Sequence, residues 1–106
     1  MISYRKFKQL FNKLEGEPEL EVYFNDINDT YMIIKYKDYI TFQRCGIETG
    51  SCELKFNNLD ELYNTITIDN ICLKNDWKNI QDIIIDSVCS IENDKEDIKN
   101  IYDIEI

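Results

Sequence analysis

The residues of this chain that could carry out chemistry are its four cysteines and its many carboxylates. Two of the cysteines, Cys45 and Cys52, flank a short loop, CGIETGSC, that contains two of the three glycines in the chain. Such a pair could form a disulfide, contribute to a metal site, or border a turn in which glycine adopts a positive φ. The positions of the two thiols on their strands decide between these possibilities.

The alternation of apolar residues assigns the two thiols to opposite sides of a sheet. Before the loop, Ile40 and Phe42 form the core side of a strand, so Cys45 belongs to the other side. After the loop, Cys52 is in phase with Leu54 and therefore lies on the core side, unless a glycine bulge shifts the phase by one residue. A disulfide requires side chains that converge across a Cα separation of about 5.5 Å. We therefore predict that Cys45 and Cys52 are unlinked.

The chain contains no histidine, and this absence excludes several classes of site. Zinc sites with imidazole ligands, and nucleophilic catalysis by Cys-His or Ser-His-Asp groups, are unavailable in their usual forms. No glycine-rich phosphate-binding motif occurs either. The other two cysteines, Cys72 and Cys89, lie in apolar runs and are predicted to be small core residues. Carboxylate chemistry is what remains, either on a glycoside or through a bound magnesium ion.

One acidic segment has the alternation of a calcium-binding loop. Residues 26–31, DINDTY, alternate acids with amides, but the sixth position is Tyr31 instead of glycine. The twelfth position, which needs a bidentate acid, is Lys37. We therefore predict no metal site and no cofactor.

Net charge is the strongest functional signal in the sequence. The chain has a formal net charge of −9, although its first 14 residues carry four basic residues and no acid. Three groups of acids are the candidate partner-binding residues. They are Glu15, Glu17, Glu19 and Glu21 around the first strand, Asp26 and Asp29 in the following loop, and Glu92, Asp94, Glu96 and Asp97 near the C-terminus. This field favours a basic protein partner and opposes binding of nucleic acid or an anionic membrane. The alternative, which the sequence leaves open, is that the charge serves solubility alone.

The first half of the chain predicts a helix followed by a sheet. Residues 3–15 place apolar side chains at helical spacing, with Ser3 as a cap and Gly16 as a left-handed end. The period then changes to 2, which indicates strands. The predicted strands are residues 19–24, 31–36, 39–45 and 51–56. Their short connections favour an antiparallel meander.

The second half predicts short helices. Asn58 resembles the start of a capping box for a helix that ends near residue 64. Residues 65–73 fit either a strand or a turn, and a further helix would start at Asn75 or Asp76, with Trp77, Ile80 and Ile84 on one face. Residues 83–91 are compatible with helix or strand, and residues 93–102 with a last helix.

Together these elements predict a single α+β domain with an N-terminal helix, a four-stranded antiparallel meander, and two or three short helices. The helices would cover one face of the sheet. The residues expected on the other face are Tyr23, Tyr39, Thr41, Gln43 and Glu53.

In size, acidity and order of elements the chain resembles small phage inhibitors such as anti-CRISPR proteins, several of which are acidic mimics of nucleic acid. This resemblance implies a non-enzymatic inhibitor that occupies the nucleic-acid groove of a basic protein such as a nuclease. It has no motif behind it, so no site residue follows from it. Because the sequence has neither a signal-peptide pattern nor an apolar span, we expect a cytoplasmic protein.

Two alternatives remain open from the sequence. One is an adaptor or accessory protein that binds a partner through an open sheet face or edge. The other is a metal-dependent carboxylate hydrolase, which requires three or more acids that converge in a cleft.

Overall fold

An antiparallel sheet with helices on one face forms the structure, a computed structural model that describes residues 1–46 and 53–106. The helices are Tyr4–Lys13 (α1), Leu59–Asn64 (α2), Leu73–Asp76 (α3) and Lys95–Tyr102 (α4). The strands are Glu19–Phe24 (β1), Thr30–Lys35 (β2), Ile40–Arg44 (β3), Leu54–Phe56 (β4), Ile80–Ile85 (β5) and Cys89–Ser90 (β6). Single 3₁₀ turns occur at Ile68–Asn70 and Trp77–Asn79. The predicted α+β class is confirmed.

The sheet has the order β4-β3-β2-β1-β5-β6, and every neighbouring pair is antiparallel. The four strands β1 to β4 form the predicted meander. The hairpin of β5 and β6 extends this meander on the free side of β1, so the described part of the sheet has six strands, two more than predicted. As a result β1 is a central strand, paired with β2 on one side and with β5 on the other.

The prediction of a helix that carries Trp77, Ile80 and Ile84 was wrong. The helix ends at Asp76, Trp77 belongs to a 3₁₀ turn, and Ile80–Ile85 is strand β5. The run of β-branched isoleucines fits a pleated surface better than a helix, because their χ1 angles are restricted against the preceding helical turn. The ambiguous stretch 83–91 is resolved in the same way, as a β-hairpin.

The helix starts follow the predicted caps. Ser3 Oγ accepts a hydrogen bond from the Lys6 amide at 3.2 Å, and Asn58 Oδ1 accepts one from the Glu61 amide at 2.9 Å. Gly16 has a positive φ, +75°, but it does not end the helix as predicted, because α1 ends at Lys13 with Leu14 as an extended C-cap. Residues 65–73 form no strand; their turn contains Asp69 and its neighbour in left-handed conformation.

The hydrophobic core lies on one face of the sheet. Cross-strand partners such as Leu20 with Ile33, and Val22 with Tyr31, are buried on this face. They form one cluster with apolar residues from all four helices. Because the described helices pack on this face, they leave the opposite face of the sheet uncovered.

Among the described residues, no helix is both long and apolar enough to cross a membrane.

Candidate functional site

The predicted acids around β1 lie on the surface, two of them on the uncovered face of the sheet. Glu15, Glu17 and Glu19 are exposed, and Glu21 is half-buried. Glu19 pairs with Ile34, and Glu21 with Met32, so both carboxylates point away from the core. Along a strand this i, i+2 spacing is about 7 Å.

Glu21 is held in place by two hydroxyl groups. The Tyr23 hydroxyl donates to Glu21 Oε2 at 2.5 Å, and Ser87 Oγ donates to Glu21 Oε1 at 2.8 Å. The Tyr23 hydrogen bond, followed by that of Ser87, lowers the pKa of Glu21. The same hydrogen bond raises the pKa of Tyr23 to about 12. Glu21 is therefore an ionised carboxylate in a fixed position. Sequence reasoning could not identify Ser87, because the contact joins β1 to the β5–β6 turn.

The two loop acids, Asp26 and Asp29, lie between β1 and β2 and are exposed. Neither side chain has a hydrogen bond or ion pair recorded with another described residue. They contribute charge to the surface without belonging to a built site.

The C-terminal acids divide into two kinds. Glu92 binds the N-terminal ammonium of Met1 at 2.8 Å and Lys95 at 3.7 Å, and the hydrogen bond from the ammonium lowers its pKa. Asp94 Oδ2 accepts a hydrogen bond from the Ser90 amide at 2.7 Å, which fastens β6 to the start of α4. Glu96 and Asp97 are exposed in the first turn of α4. Glu92 and Asp94 thus serve the fold, while Glu96 and Asp97 are available to a partner.

We call the uncovered side of the sheet the open face and define it by its centre: Glu19, Glu21, Met32, Ile34, Asp82 and Ile84. Cross-strand pairing brings these residues together, since Glu21 lies between Met32 and Ile84. Met32, Ile34 and Ile84 are all half-buried, so apolar surface lies between the carboxylates. Of the residues expected on this face, Tyr23, Thr41 and Gln43 belong to it by register. Thr41, however, is only 1% exposed, and its Oγ1 has no hydrogen-bond partner in the structure.

Asp82 is an open-face carboxylate that sequence reasoning missed. It pairs with Tyr23 across the β1–β5 ladder. Its oxygens accept hydrogen bonds from Ser90 Oγ, from the Ile83 amide at 2.8 Å and from the Glu92 amide at 3.1 Å. Because a helix was predicted for this segment, the period-2 alternation of a strand, which places Asp82 on the uncovered face of the sheet, was not considered.

Aromatic rings border the open face near β4. Tyr36 stacks on Tyr39 with ring centroids 4.8 Å apart. Lys55, which pairs with Thr41, places its Nζ 4.2 Å from the centroid of the Tyr39 ring. Burial raises the pKa of Tyr36, and the charges of Glu53 and other nearby carboxylates raise it further. Rings and carboxylates thus lie close together at this end of the face.

The cysteines of the described residues show no catalytic arrangement. Cys45, Cys72 and Cys89 are free thiols, whereas Cys52 lies outside the described residues, together with most of the CGIETGSC loop. Burial raises the pKa of Cys45, and the negative charges of Glu21 and Glu19 add to this. Cys72 is buried, as predicted, and Cys89 is half-buried against the core. A raised thiol pKa opposes thiolate formation, which nucleophilic chemistry needs.

Within residues 1–46 and 53–106, no group of three or more Cys, Asp or Glu side chains is arranged to hold a metal ion. The convergence of acids that the hydrolase alternative needs is therefore not found in this part of the chain.

A cleft of about 180 Å³ lies between the end of α1, the β2–β3 turn and the start of α2. Its Lys35 ammonium donates to the carbonyls of Phe11 and Leu14, at 2.7 and 2.8 Å, and so caps α1.

Similarity to known proteins adds no functional information. No protein-family model, no curated protein and no solved structure matches this chain significantly.

Proposed function

We propose that this protein is a small, non-enzymatic, protein-binding inhibitor whose acidic surface occupies a basic surface of its partner. The partner surface that fits best is the nucleic-acid groove of a nuclease, as for inhibitors of the anti-CRISPR or anti-restriction type. The proposed binding residues are those of the three acidic groups except Glu92 and Asp94, which are engaged within the fold. The observation that supports the proposal is that most of these carboxylates face solvent and form no ion pair with another described residue.

The ion pairs of the described residues leave the acidic charge largely unneutralised. They involve only three carboxylates, those of Asp60, Asp69 and Glu92. Of the ten candidate residues, only Glu92 is among them. An excess of unpaired surface charge creates a long-range field that speeds association with an oppositely charged surface and repels nucleic acid.

The spacing of the carboxylates is compatible with mimicry of a phosphate backbone. Glu19 and Glu21 lie on the same side of β1, and an i, i+2 spacing of about 7 Å approximates the distance between successive phosphates of one strand. A partner that neutralises phosphates with Lys and Arg would accept carboxylates at the same positions.

The test is binding to a partner captured from the lysate of the organism that encodes the protein. We expect the association rate to fall steeply with salt, and DNA or RNA to compete with the protein for the partner. A variant with Glu19→Gln, Glu21→Gln, Glu96→Gln and Asp97→Asn should associate more slowly. Asp94 is left unchanged because its carboxylate fastens β6 to α4.

The matched control replaces two exposed bases, Lys74→Gln and Lys78→Gln, which form no ion pair with another described residue. This change makes the protein more acidic and should leave association unchanged or accelerate it. Salt-independent binding, or equal rates for the two variants, would refute the proposal and favour an adaptor that binds without charge mimicry.

A further inference from the structure

We propose that the open face of the sheet is the docking surface for the basic partner, and that it binds an arginine-bearing segment. This inference rests on the proposed function, because it names the site and the partner chemistry for the same acidic protein. Binding is thereby assigned to one face of the protein rather than equally to all of its exposed acids.

The distribution of charge along the strands supports this face. The acidic residues of the described strands are Glu19, Glu21 and Asp82, and cross-strand pairing assigns all three to the open face. The basic strand residues Lys35 and Arg44 pair with Ile40 and Tyr31 on the core side. They are engaged there, Lys35 with the end of α1 and Arg44 with Asp69 at 3.2 Å. Lys55 is the third basic strand residue, and it pairs with Thr41 on the open face, so the described strands contribute three acids and one base to this face. The open face is therefore negative because of how the strands pair, beyond the overall acidity of the chain.

The open face also has the apolar surface that a specific interface needs. Met32 and Ile84 flank Glu21, and Ile34 lies beside Glu19. All three apolar side chains are half-buried, and the described helices pack against the opposite side of the sheet. Interfaces are enriched in Met and Tyr at their centres and carry polar groups around them. The open face combines both features.

The chemistry of the face favours arginine over lysine. Glu21 is held by the hydroxyls of Tyr23 and Ser87, and a carboxylate in a fixed position suits the planar, bidentate guanidinium group. The rings of Tyr36 and Tyr39 add surfaces on which a guanidinium can stack. The protein's own Lys55 ammonium already lies over the Tyr39 ring, so this end of the face accommodates a cation.

The experiment uses a fluorescein-labelled peptide of alternating arginine and leucine residues as the probe. Two variants with the same change in net charge are compared. The face variant is Glu19→Gln with Glu21→Gln, and the control variant is Asp103→Asn with Glu105→Gln, two exposed acids after α4 that belong to none of the three acidic groups. Glutamine keeps one acceptor oxygen for the Tyr23 hydroxyl, and its amide nitrogen can donate to Ser87 Oγ, so the fold of the face is retained. We expect the Kd of the face variant to rise about tenfold, equivalent to the loss of about 1.4 kcal/mol, and that of the control variant to stay within about twofold.

Two further measurements separate the apolar and arginine contributions. Met32→Gln keeps the charge constant and should weaken binding, because it removes apolar contact at the centre of the face. A peptide with lysine in place of arginine should bind more weakly than the arginine peptide. A third measurement locates the binding site: when the peptide is added, amide chemical shifts of the ¹⁵N-labelled protein should change along β1, β2 and β5.

The results separate this inference from the proposed function. If the peptide binds and both charge variants lose affinity equally, or if the shifts concentrate on α4, the open face is not the docking surface, although an acidic binder remains possible. Equal affinity for the lysine peptide would overturn the choice of arginine. If neither peptide binds, the inference fails, and failure of salt-dependent binding to the captured partner would then remove the proposed function as well.

Discussion

Trp77 connects the N-terminus to the second half of the chain. Its indole Nε1 donates to the Ile2 carbonyl at 2.9 Å, and its ring packs near Tyr4, Phe7 and Tyr63, with centroids 5.4 to 6.0 Å away. The sequence placed it on one helical face with Ile80 and Ile84, but that helix does not form. We expect Trp77→Ala to lower the free energy of unfolding by about 3 kcal/mol, as for a large aromatic in a core.

The conservative variant Trp77→Phe tests which part of that loss is the hydrogen bond. It keeps a ring among the aromatics but leaves the Ile2 carbonyl without its donor, so we expect a loss of about 1 kcal/mol. Urea unfolding of both variants measures the difference. If Trp77→Ala keeps the parent's stability but loses partner binding, Trp77 is an interface residue instead.

Cys45 reports on the charge of the open face. Its thiol pKa is raised by burial and then by Glu21 and Glu19, so the reactive thiolate should form only at a higher pH than in an unfolded chain. Neutralising both acids, in Glu19→Gln with Glu21→Gln, removes the charge contribution and should lower this pKa. The pH at which iodoacetamide alkylates Cys45 should then decrease. Peptide mass mapping distinguishes Cys45 from the other cysteines, and an unchanged pH profile would contradict the electrostatic contact.

At the scale of the elements, the end of α4 contains a residue in an unfavourable conformation. Asp103 follows the helix with φ 53°, a left-handed conformation that glycine adopts more readily than other residues. Lys13 Nζ donates to the backbone carbonyls of Tyr102 and Asp103, at 2.8 and 3.2 Å, and the Asp103 carboxylate forms no hydrogen bond or ion pair with another described residue. We expect Asp103→Gly to stabilise the protein by about 0.5 to 1 kcal/mol.

The control for this prediction is Asp103→Ala, which removes the same carboxylate without easing the left-handed conformation. Thermal unfolding should rank Asp103→Gly above the parent and Asp103→Ala at or below it. Equal melting temperatures for the two variants would mean that backbone conformation at the helix end has no part in the effect.

At the scale of the whole molecule, salt should act oppositely on folding and on binding. The net charge of −9 repels itself in the folded state, and few carboxylates are paired. Raising the salt concentration from about 0.01 to 1 M shortens the Debye length from about 30 to 3 Å, which relieves this repulsion. We expect the melting temperature to rise with sodium chloride while partner binding weakens. A melting temperature that falls over this range would contradict an unpaired acidic surface.

The pH dependence of stability should have two limits. The pKa values of Glu21 and Glu92 are lowered by their hydrogen bonds, so their contribution is present above the unfolded-state pKa of about 4.3 and is lost as the pH falls through their folded values. The pKa of Tyr23 is raised to about 12, so its contribution is present below about 10 and is lost as the pH rises towards 12. Chemical unfolding at several pH values checks both limits. Replacing Tyr23 by Phe should reduce the alkaline loss.

Local sequence patterns were sufficient wherever a few neighbouring residues decide the structure. Ser3 and Asn58 were predicted to begin helices, and each side chain accepts the expected amide hydrogen bond. The alternation around Leu20 predicted which side of β1 faces the core, and therefore that Glu19 and Glu21 face away from it. Caps and strand alternation depend on contacts within about four residues, so the sequence alone determines them.

The tertiary structure decided what depends on distant partners. The isoleucine run before Asp86 becomes strand β5 because β1 offers a free edge for pairing, and only that pairing brings Asp82 to the open face. Glu92 and Asp94 looked like any surface acids in the sequence, yet the chain's N-terminus and the Ser90 amide bind them. These contacts form only when segments far apart in sequence, or on either side of a turn, are packed together. The sequence by itself therefore determined the class of fold and the acidity of the surface, whereas packing determined which acids remain available and on which face they lie.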